Sequence, residues 1–282
     1  MEKLPAEIQM GAVTLRVANL DLMRDYYTLA LGLKVLAENT SSVLLGGSEG
    51  AALLLVHEPA LKHAGPSEAG LFHTAFLFSS REKLASAVAS VAARHPQSFT
   101  GSADHIVSEA FYFDDPEGNG VELYFDKDRS LWSWEHGQIQ MGTFALDPNS
   151  YLQQYLVGDL EAPIGIGHVH LSVGNVEQAR EFYVEKLGFE TTLNWGGTAL
   201  FVSAGGYHHH MAMNVWRSRG AGRRQQTLGL GDVSIVLPAP ELLEETSERL
   251  KALGQQLRIE ESRISLDDPW GNQVTLLSVS GN

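Results

Sequence analysis

Two stretches of this chain each occur twice, and that internal duplication constrains its fold more than any other feature. Residues 11–32 (GAVTLRVANLDLMRDYYTLALG) and 167–188 (GHVHLSVGNVEQAREFYVEKLG) have equal length and share glycine, valine, leucine, asparagine, arginine and tyrosine in register. Residues 114–123 (DDPEGNGVEL) recur as 267–276 (DDPWGNQVTL). Positions kept in both copies belong to the scaffold, so positions that differ between the copies are where function is expected.

Each copy of the first stretch predicts a strand followed by a helix. Apolar residues alternate over 13–17 and over 169–173, as they do in a half-buried strand. Asn19 and Asn175 come next and are placed to cap a helix, which a glycine then ends. Further strand-like runs follow in both copies, so the order is β-α-β-β-β.

The second stretch predicts two more modules of the same kind, with helices over 81–94 and 240–253. The expected fold is therefore α+β, with four β-α-β-β-β modules forming two open, barrel-like sheets. A connecting segment, 129–162, separates the two halves and could be a linker, a flap or an interface. The predicted boundaries are 8–128 for the first pair of modules (8–58 and 70–128) and 163–281 for the second pair (163–217 and 226–281).

Composition excludes several classes of protein. The chain has 282 residues, enough for two domains of about 140 residues each. Its net charge of −14 argues against binding to nucleic acid or to an anionic membrane. The absence of cysteine excludes disulfides, zinc–thiolate sites and cysteine catalysis. With no apolar run of membrane-spanning length and no leader-like N-terminus, we expect a cytoplasmic protein.

Three residues form a candidate metal site. His73 and His168 fall at the same position of the first strand of their modules, and Glu122 falls on the last strand of the module that contains His73. Two neutral imidazoles and one carboxylate on one face of a divalent metal leave three coordination positions open. That arrangement suits Fe(II) chemistry in which a substrate and O₂ bind side by side.

The alternative interpretation is that these three residues have ordinary structural roles and bind no metal. A histidine in a strand is more often packed or hydrogen-bonded than a ligand, and a glutamate near a strand end is usually a solvated charge. Comparison of the copies favours the metal site, because all three residues occupy matched module positions. The outer modules carry Ala12, Asp232 and Thr275 at these positions.

The modules, the strand start G-H-x-x-x-x-V and the ending D-P-x-G-N-x-x-E-L resemble the vicinal oxygen chelate superfamily. They are most similar to its extradiol catechol dioxygenases, and in particular to bacterial catechol-2,3-dioxygenase-like proteins. This resemblance implies Fe(II), less often Mn(II), bound by His73, His168 and Glu122. It also implies cleavage of catechol or a substituted catechol by O₂, a reaction of aromatic hydrocarbon catabolism.

The resemblance extends to three residues with implied catalytic roles. The segment 207–212 (YHHHMA) resembles the family's His-His-(Ser/Thr)-x-Ala strand, whose second histidine is an acid–base residue and corresponds to His209. Tyr112, ten residues before Glu122, matches an active-site tyrosine. His105 matches a histidine outside the ligand set, although the stretch between it and the turn is two residues shorter here. On a strand, His208 and His210 would face away from His209.

The position of the ligands departs from the family pattern. Familiar extradiol enzymes draw their metal ligands from modules three and four, whereas module four here has Asp232 and Thr275 at the ligand positions. We therefore predict a metal cavity between modules two and three, with modules one and four as a structural pair. The alternative pairing, one with two and three with four, would divide the three ligands between two sites.

Two other functions remain open from the sequence. A glyoxalase or thiol-transferase type of metalloenzyme would use a fourth protein ligand, and module three offers no acid on its last strand. A metal-free, drug-sequestering protein of the same fold would make no use of His73, His168 and Glu122. The expected partners of the dioxygenase are a small aromatic diol and O₂, with no nucleic acid and no membrane. A second copy of the chain, in a homo-oligomer, is a further candidate partner.

Overall fold

A computed structural model describes residues 3–260 and 262–278 of the chain. Residues 261 and 279–281, assigned from the sequence to the fourth module, lie outside the described residues. The prediction of an α+β fold with two open sheets is confirmed, because short helices alternate with strands that form two large sheets. No helix within the described ranges is long and apolar enough to cross a membrane.

The first two modules follow the expected β-α-β-β-β order. Module one consists of β1 (Gln9–Val17), α1 (Leu20–Asp25, continued by a π-helical turn over Tyr26–Ala30), β2 (Lys34–Glu38), β3 (Ser42–Gly47) and β4 (Gly50–His57). Module two consists of β5 (Gly70–Phe78), α2 (Arg81–Arg94), β6 (Phe99–Asp104), β7 (Ser108–Asp114) and β8 (Gly120–Asp126).

The second half repeats that order after a connecting segment. The segment contains a 3₁₀ turn (Arg129–Leu131), β9 (Trp134–Glu135), β10 (Gln138–Ile139), β11 (Phe144–Ala145) and α3 (Pro148–Tyr155). Module three consists of β12 (Gly165–Ser172), α4 (Val176–Arg180, continued by a π-helical turn over Glu181–Lys186), β13 (Glu190–Trp195), β14 (Ala199–Ser203) and β15 (Met211–Asn214). Module four consists of β16 (Gly229–Leu237), α5 (Pro240–Ala252), β17 (Arg258–Glu260), β18 (Arg263–Asp267) and β19 (Gln273–Ser278).

The strands form an eight-stranded sheet and a nine-stranded sheet, besides the β9–β10 hairpin. The order in the first is β17-β18-β19-β16-β1-β4-β3-β2, and the order in the second is β11-β6-β7-β8-β5-β12-β15-β14-β13. Contacts divide the described residues into two compact units. One contains residues 15–61 and 72–167, and the other contains residues 3–14, 62–71, 168–260 and 262–278.

The connecting segment is ordered and belongs to the first of these units. Its strand β11 pairs with β6, with Phe144 opposite Asp104. Tyr151 on α3 packs edge-on against Phe111, with ring centroids 4.9 Å apart. The Tyr151 hydroxyl also donates to Glu109, which accepts two further bonds from Arg81. These contacts attach the segment to the second module.

The repeated turn DDPxGN is built around a buried carboxylate. Asp115 accepts hydrogen bonds from the amides of Glu117 and Asn119, from the Asn119 side chain and, at 2.8 Å, from the Tyr27 hydroxyl. Gly118 adopts φ +84°, a left-handed conformation that glycine tolerates best. Burial raises the pKa of Asp115 to about 6, although these hydrogen bonds oppose the rise.

The second copy of the turn repeats this arrangement in the other unit. Asp268 accepts from the amides of Trp270 and Asn272, from the Asn272 side chain and from the Tyr183 hydroxyl at 3.1 Å. Both tyrosines stand in the π-helical turns of their helices, so each copy fixes a helix to a turn far along the sequence. This explains why tyrosine and the second aspartate persist in both copies.

The hydrogen bond from Tyr27 to Asp115 is expected to stabilise its unit measurably. At pH 8, above the pKa of about 6, the carboxylate is ionised and the lost donor leaves it incompletely satisfied. Tyr27→Phe should therefore lower the free energy of unfolding by about 1.5–3 kcal/mol in urea denaturation.

Tyr26→Phe is the matched control, because Tyr26 is the preceding residue and is equally buried at 1% exposure. Within the described residues its hydroxyl makes no hydrogen bond, so its removal should change stability by less than about 1 kcal/mol. Equal losses in the two variants would contradict the role given to the Asp115 bond.

Candidate metal centre

His73 and Glu122 are brought together by the pairing of two parallel strands. His73 lies on β5 and Glu122 on β8, in a register that places Ala75 opposite Glu122. His73 Nε2 lies 2.9 Å from Glu122 Oε2. The two residues are 6% and 2% exposed, so the imidazole and the carboxylate face each other away from solvent.

His168 lies on β12 and is 2% exposed. One ligand atom each from His73, Glu122 and His168 lie within 4.8 Å of one another, and among the described residues this is the group with metal-binding spacing. Nitrogen and oxygen ligands at about 2.1 Å on one face of a metal are separated by about 3 Å. The 2.9 Å between His73 and Glu122 matches that separation, and the donor set suits a divalent transition metal.

Gly167 allows close packing directly before His168. A Cβ at this position would lie 1.7 Å from the hydroxyl oxygen of Tyr124 and 2.8 Å from the ring carbon that carries it. Tyr124 is fully buried, so its ring has little room to withdraw. The glycine of the G-H pair is therefore a steric requirement of the strand that carries the ligand.

Tyr112 lies directly opposite Glu122 in the antiparallel pair of β7 and β8. Burial raises the pKa of Tyr112 well above its usual value, and the charge of Glu122 and a hydrogen bond to it add to the rise. The ring of Tyr112 also lies 5.6 Å from that of His73. The phenol therefore stays protonated and contacts two members of the candidate ligand group.

His105 is hydrogen-bonded to Tyr112, with 2.7 Å between His105 Nε2 and the tyrosine hydroxyl. Its Nδ1 lies 2.7 Å from the carbonyl oxygen of Gly142, which can only accept, so Nδ1 carries a proton. A neutral His105 therefore accepts from Tyr112 at Nε2. The hydroxyl has a single proton, so when it donates to Nε2 it does not donate to Glu122.

His209 lies beside His168, with ring centroids 4.1 Å apart. The expectation that His208 and His210 face away from it on a strand is wrong, because β15 begins only at Met211. The chain enters the three histidines through left-handed glycines at 205 and 206 and does not follow the alternation of a strand. All three histidines are at least 92% buried.

His208 was not expected near the site but is bonded to His209. The Nδ1 atoms of the two rings are 2.7 Å apart, which requires one of them to donate and the other to accept. The His208 ring also lies 5.8 Å from that of His168. The sequence did not predict this contact, because consecutive side chains on a strand point to opposite faces. The contact forms because the chain bends here, before β15 begins.

His170 and Asn214 are a second pair that the sequence interpretation missed. His170 lies two residues after His168, hence on the same face of β12, and that spacing was visible in the sequence. Asn214 Nδ2 lies 3.0 Å from His170 Nε2, and Asn214 Oδ1 accepts from the amide of Trp216. The asparagine thus holds the His170 ring from the neighbouring strand.

Module four keeps the geometry of module two but carries different chemistry. Ser265 is opposite Thr275, as Tyr112 is opposite Glu122. Thr275 donates to Asp232 at 2.9 Å and lies 2.8 Å from the Ser265 hydroxyl. At positions matching His73, Glu122 and Tyr112 there is therefore a hydrogen-bonded set of an aspartate and two hydroxyls.

A duplicated β-α-β-β-β scaffold with a buried His–Glu–His group defines a recognisable class of protein. The chain belongs to the Glyoxalase/Bleomycin resistance protein/Dioxygenase superfamily, whose model matches residues 9–123 and 165–276.

Comparison with individual proteins gives both a sequence relative and structural relatives. The chain is 34% identical over 279 residues to a protein of Bacillus subtilis (strain 168) named catechol-2,3-dioxygenase, covering 95% of this chain and 96% of that protein. A putative dioxygenase from B. subtilis has a TM-score of 0.70 at 12% identity, with 99% of this chain and 87% of that chain covered. Glyoxalase I from Zea mays has a TM-score of 0.57 at 17% identity, covering 96% and 92%. The last two similarities concern the fold alone.

The close approach at Gly167 predicts that alanine destabilises the protein at this position of β12 but not at Gly165 of the same strand. Gly167→Ala should lower the free energy of unfolding by about 1–3 kcal/mol, because overpacking against Tyr124 displaces the strand. Gly165→Ala is the control, since a Cβ there meets nothing within 4 Å. Thermal unfolding of both variants tests this, and a Gly165 variant as unstable as the Gly167 variant would refute the steric explanation.

Proposed function

We propose that this protein is a metal-dependent extradiol dioxygenase that cleaves catechol or a substituted catechol with O₂. The observation that carries the proposal is the buried group of His73, Glu122 and His168. A 2-His-1-carboxylate face leaves coordination positions for a bidentate substrate and a gas. Similarity over nearly full length to a protein named catechol-2,3-dioxygenase supports the same reaction class.

The metal is proposed to be Fe(II), with Mn(II) as the alternative, held by modules two and three. Two of the candidate ligands, His73 and Glu122, belong to module two and the third, His168, belongs to module three, which supports this pairing. In module four the matching residues Asp232 and Thr275 are hydrogen-bonded to each other, which supports a structural role for the outer modules.

A bound Fe(II) would act as a Lewis acid toward the two catechol oxygens and would activate O₂ beside them. His73, Glu122 and His168 would hold it, and each of the three is at most 6% exposed. Holding both reactants in one place supplies much of the acceleration. The remaining contribution comes from residues that move protons.

His209 is proposed to accept a proton from a catechol hydroxyl and to return it later in the reaction. Its ring lies against His168, and its Nδ1 is hydrogen-bonded to His208, which fixes the orientation of the ring. Tyr112 is proposed to donate a hydrogen bond to a substrate oxygen, its single proton turning to the substrate from His105 or Glu122. His105 positions Tyr112, because its own ring is anchored to the Gly142 carbonyl.

Glyoxalase chemistry is the other enzyme class to test, given the similarity of fold to glyoxalase I from Zea mays. Such a site would be expected to use a fourth protein ligand. Among the described residues the group consists of three. Three ligands favour the dioxygenase, because its two reactants need open coordination positions.

Removal of a ligand should abolish metal binding and activity together. Glu122→Gln and His168→Ala, reconstituted anaerobically with Fe(II), should bind iron at least about 100-fold more weakly. Mutation of residues that only support the ligands already costs about 10- to 100-fold in metal affinity, so loss of a ligand should cost at least as much. Elemental analysis and O₂ uptake with catechol measure the two effects. His63→Ala is the control, since His63 is exposed and outside the group.

Two results would overturn the dioxygenase proposal. Iron-loaded protein that consumes no O₂ with any catechol would refute the reaction. Unchanged iron affinity in both ligand variants would refute the site. Turnover of a hemithioacetal instead would support the glyoxalase class.

If His209 is the acid–base residue, replacing it should lower kcat without changing the metal content of the protein. His209→Ala should lower kcat by about 10²–10⁴-fold, the usual contribution of general acid–base catalysis, while its iron content stays that of the parent protein. Steady-state O₂ uptake and elemental analysis on the same sample measure both. A kcat within a few-fold of the parent value would rule this role out.

A further inference from the structure

We propose that Asp104 and Lys127 are positioning residues for Tyr112, because together they hold the turn that aims His105 at the tyrosine hydroxyl. The inference rests on the proposed function, in which Tyr112 donates to a substrate oxygen. It places part of the control over that donation in a strained turn of module two, outside the candidate ligand group.

The turn that carries His105 joins β6 to β7 and contains a strained residue. The amide of His105 donates to the carbonyl of Ser108 at 2.8 Å, so Ile106 and Val107 form a two-residue loop. Ile106 adopts φ +74°, and in the described part of the chain His136 is the other non-glycine residue with positive φ. This conformation is costly for a β-branched side chain, and hairpin loops that need it usually place glycine there.

Asp104 and Lys127 hold both residues of the loop. The Asp104 carboxylate accepts from the amide of Ile106 at 2.8 Å. Lys127 Nζ donates to both oxygens of that carboxylate at 2.7 Å. The amide of Lys127 also donates to the carbonyl of Val107 at 2.9 Å. The Lys127 side chain is 18% exposed, so this ion pair is less screened by water than an ordinary surface pair.

A second set of contacts fixes the orientation of His105 itself. The amide of Gly142 donates to the His105 carbonyl at 3.3 Å, and the Gly142 carbonyl accepts from His105 Nδ1 at 2.7 Å. With Nδ1 protonated, Nε2 of the neutral ring is an acceptor, and it lies 2.7 Å from the Tyr112 hydroxyl. One rigid ring makes both side-chain bonds, so a shift of the loop that carries it would break at least one of them.

The position of His105 matters because the Tyr112 hydroxyl has one proton and two acceptors beside it. His105 Nε2 is one acceptor, and the charged, buried carboxylate of Glu122 is the other. A displaced His105 would leave the proton directed to Glu122. The bond to His105 therefore keeps the hydroxyl from being committed to a candidate metal ligand and leaves it able to turn to a substrate.

The competing explanation is that Asp104 and Lys127 serve stability alone. In that case the strain at Ile106 has no connection with catalysis. If the pair acts by holding the strained loop, removal of the strain should make the pair less necessary. Glycine adopts positive φ readily, so Ile106→Gly separates the two explanations.

O₂ uptake by the iron-loaded full chain tests this with a double-variant cycle. Asp104→Ala should lower kcat for catechol by about 10- to 100-fold, the usual effect of losing a residue that orients a catalytic group, and leave KM within about 2-fold. Ile106→Gly combined with Asp104→Ala should restore kcat to within about 5-fold of the Ile106→Gly variant, because the two sites are coupled. A double variant as slow as Asp104→Ala, or a loss confined to KM, would overturn the proposal.

Variants of the lysine test the other half of the pair. Lys127→Met should lower kcat, and Lys127→Arg, which can also donate to both carboxylate oxygens, should keep most of it. Lys83→Met is the matched control, because Lys83 on α2 forms an ion pair with Glu161 at 2.8 Å in the same unit and outside the loop. It should leave kcat within about 2-fold, and a loss equal to that of Lys127→Met would contradict a specific role of the loop.

Nitrogen NMR of the histidine rings tests the turn without turnover. In the nitrogen-labelled full chain, before iron is added, His105 should show the neutral form protonated at Nδ1, assigned by the loss of its signals in His105→Gln. Asp104→Ala should shift these signals toward a mixture of tautomers, and the added Ile106→Gly should bring them back. Unchanged signals in Asp104→Ala would refute the positioning of His105. Absence of O₂ uptake by the parent protein with every catechol would refute the proposed function, while the NMR result would still decide on the turn.

Discussion

Burial of the Glu122 carboxylate is the constraint on which the candidate site depends. A charge removed from water is costly unless it is paired or hydrogen-bonded, and Glu122 is 2% exposed. His73, 2.9 Å away on β5, supplies part of that compensation. The Tyr112 hydroxyl on β7 supplies more when its single proton is directed to Glu122. A divalent metal would complete it, in keeping with the metal site that we propose for this pair and His168.

Duplication explains how the chain can carry such a group without losing its fold. Stability is provided by features present in both copies, such as the buried aspartates that accept from Tyr27 and Tyr183. Because these bonds lie at the turns and helices, the residues at the matched strand positions can differ. In module four, Asp232 stands at the position of His73 and Thr275 stands at the position of Glu122, and the two are hydrogen-bonded to each other.

The proposed chemistry uses two different parts of module three. Residues at the start of β12 and in the bend before β15 supply His168 and His209, whose rings touch. A regular strand therefore supplies the proposed metal ligand, and an irregular bend supplies the proposed acid–base residue.

The sequence alone determined the order of strands and helices in each module and the positions of the candidate ligands within it. Comparison of the duplicated stretches gives the β-α-β-β-β order and singles out His73, His168 and Glu122. Tyr112 was reached only through the resemblance to the extradiol dioxygenases, whose active-site tyrosine falls ten residues before the position of Glu122. Contacts between side chains in irregular segments could not be predicted from the sequence and are visible only in the tertiary structure. The bend before β15 brings His208 to His209, and the ordered connecting segment brings the Gly142 carbonyl to His105. Periodicity describes regular strands and helices, so it cannot specify which side chains meet where the chain turns.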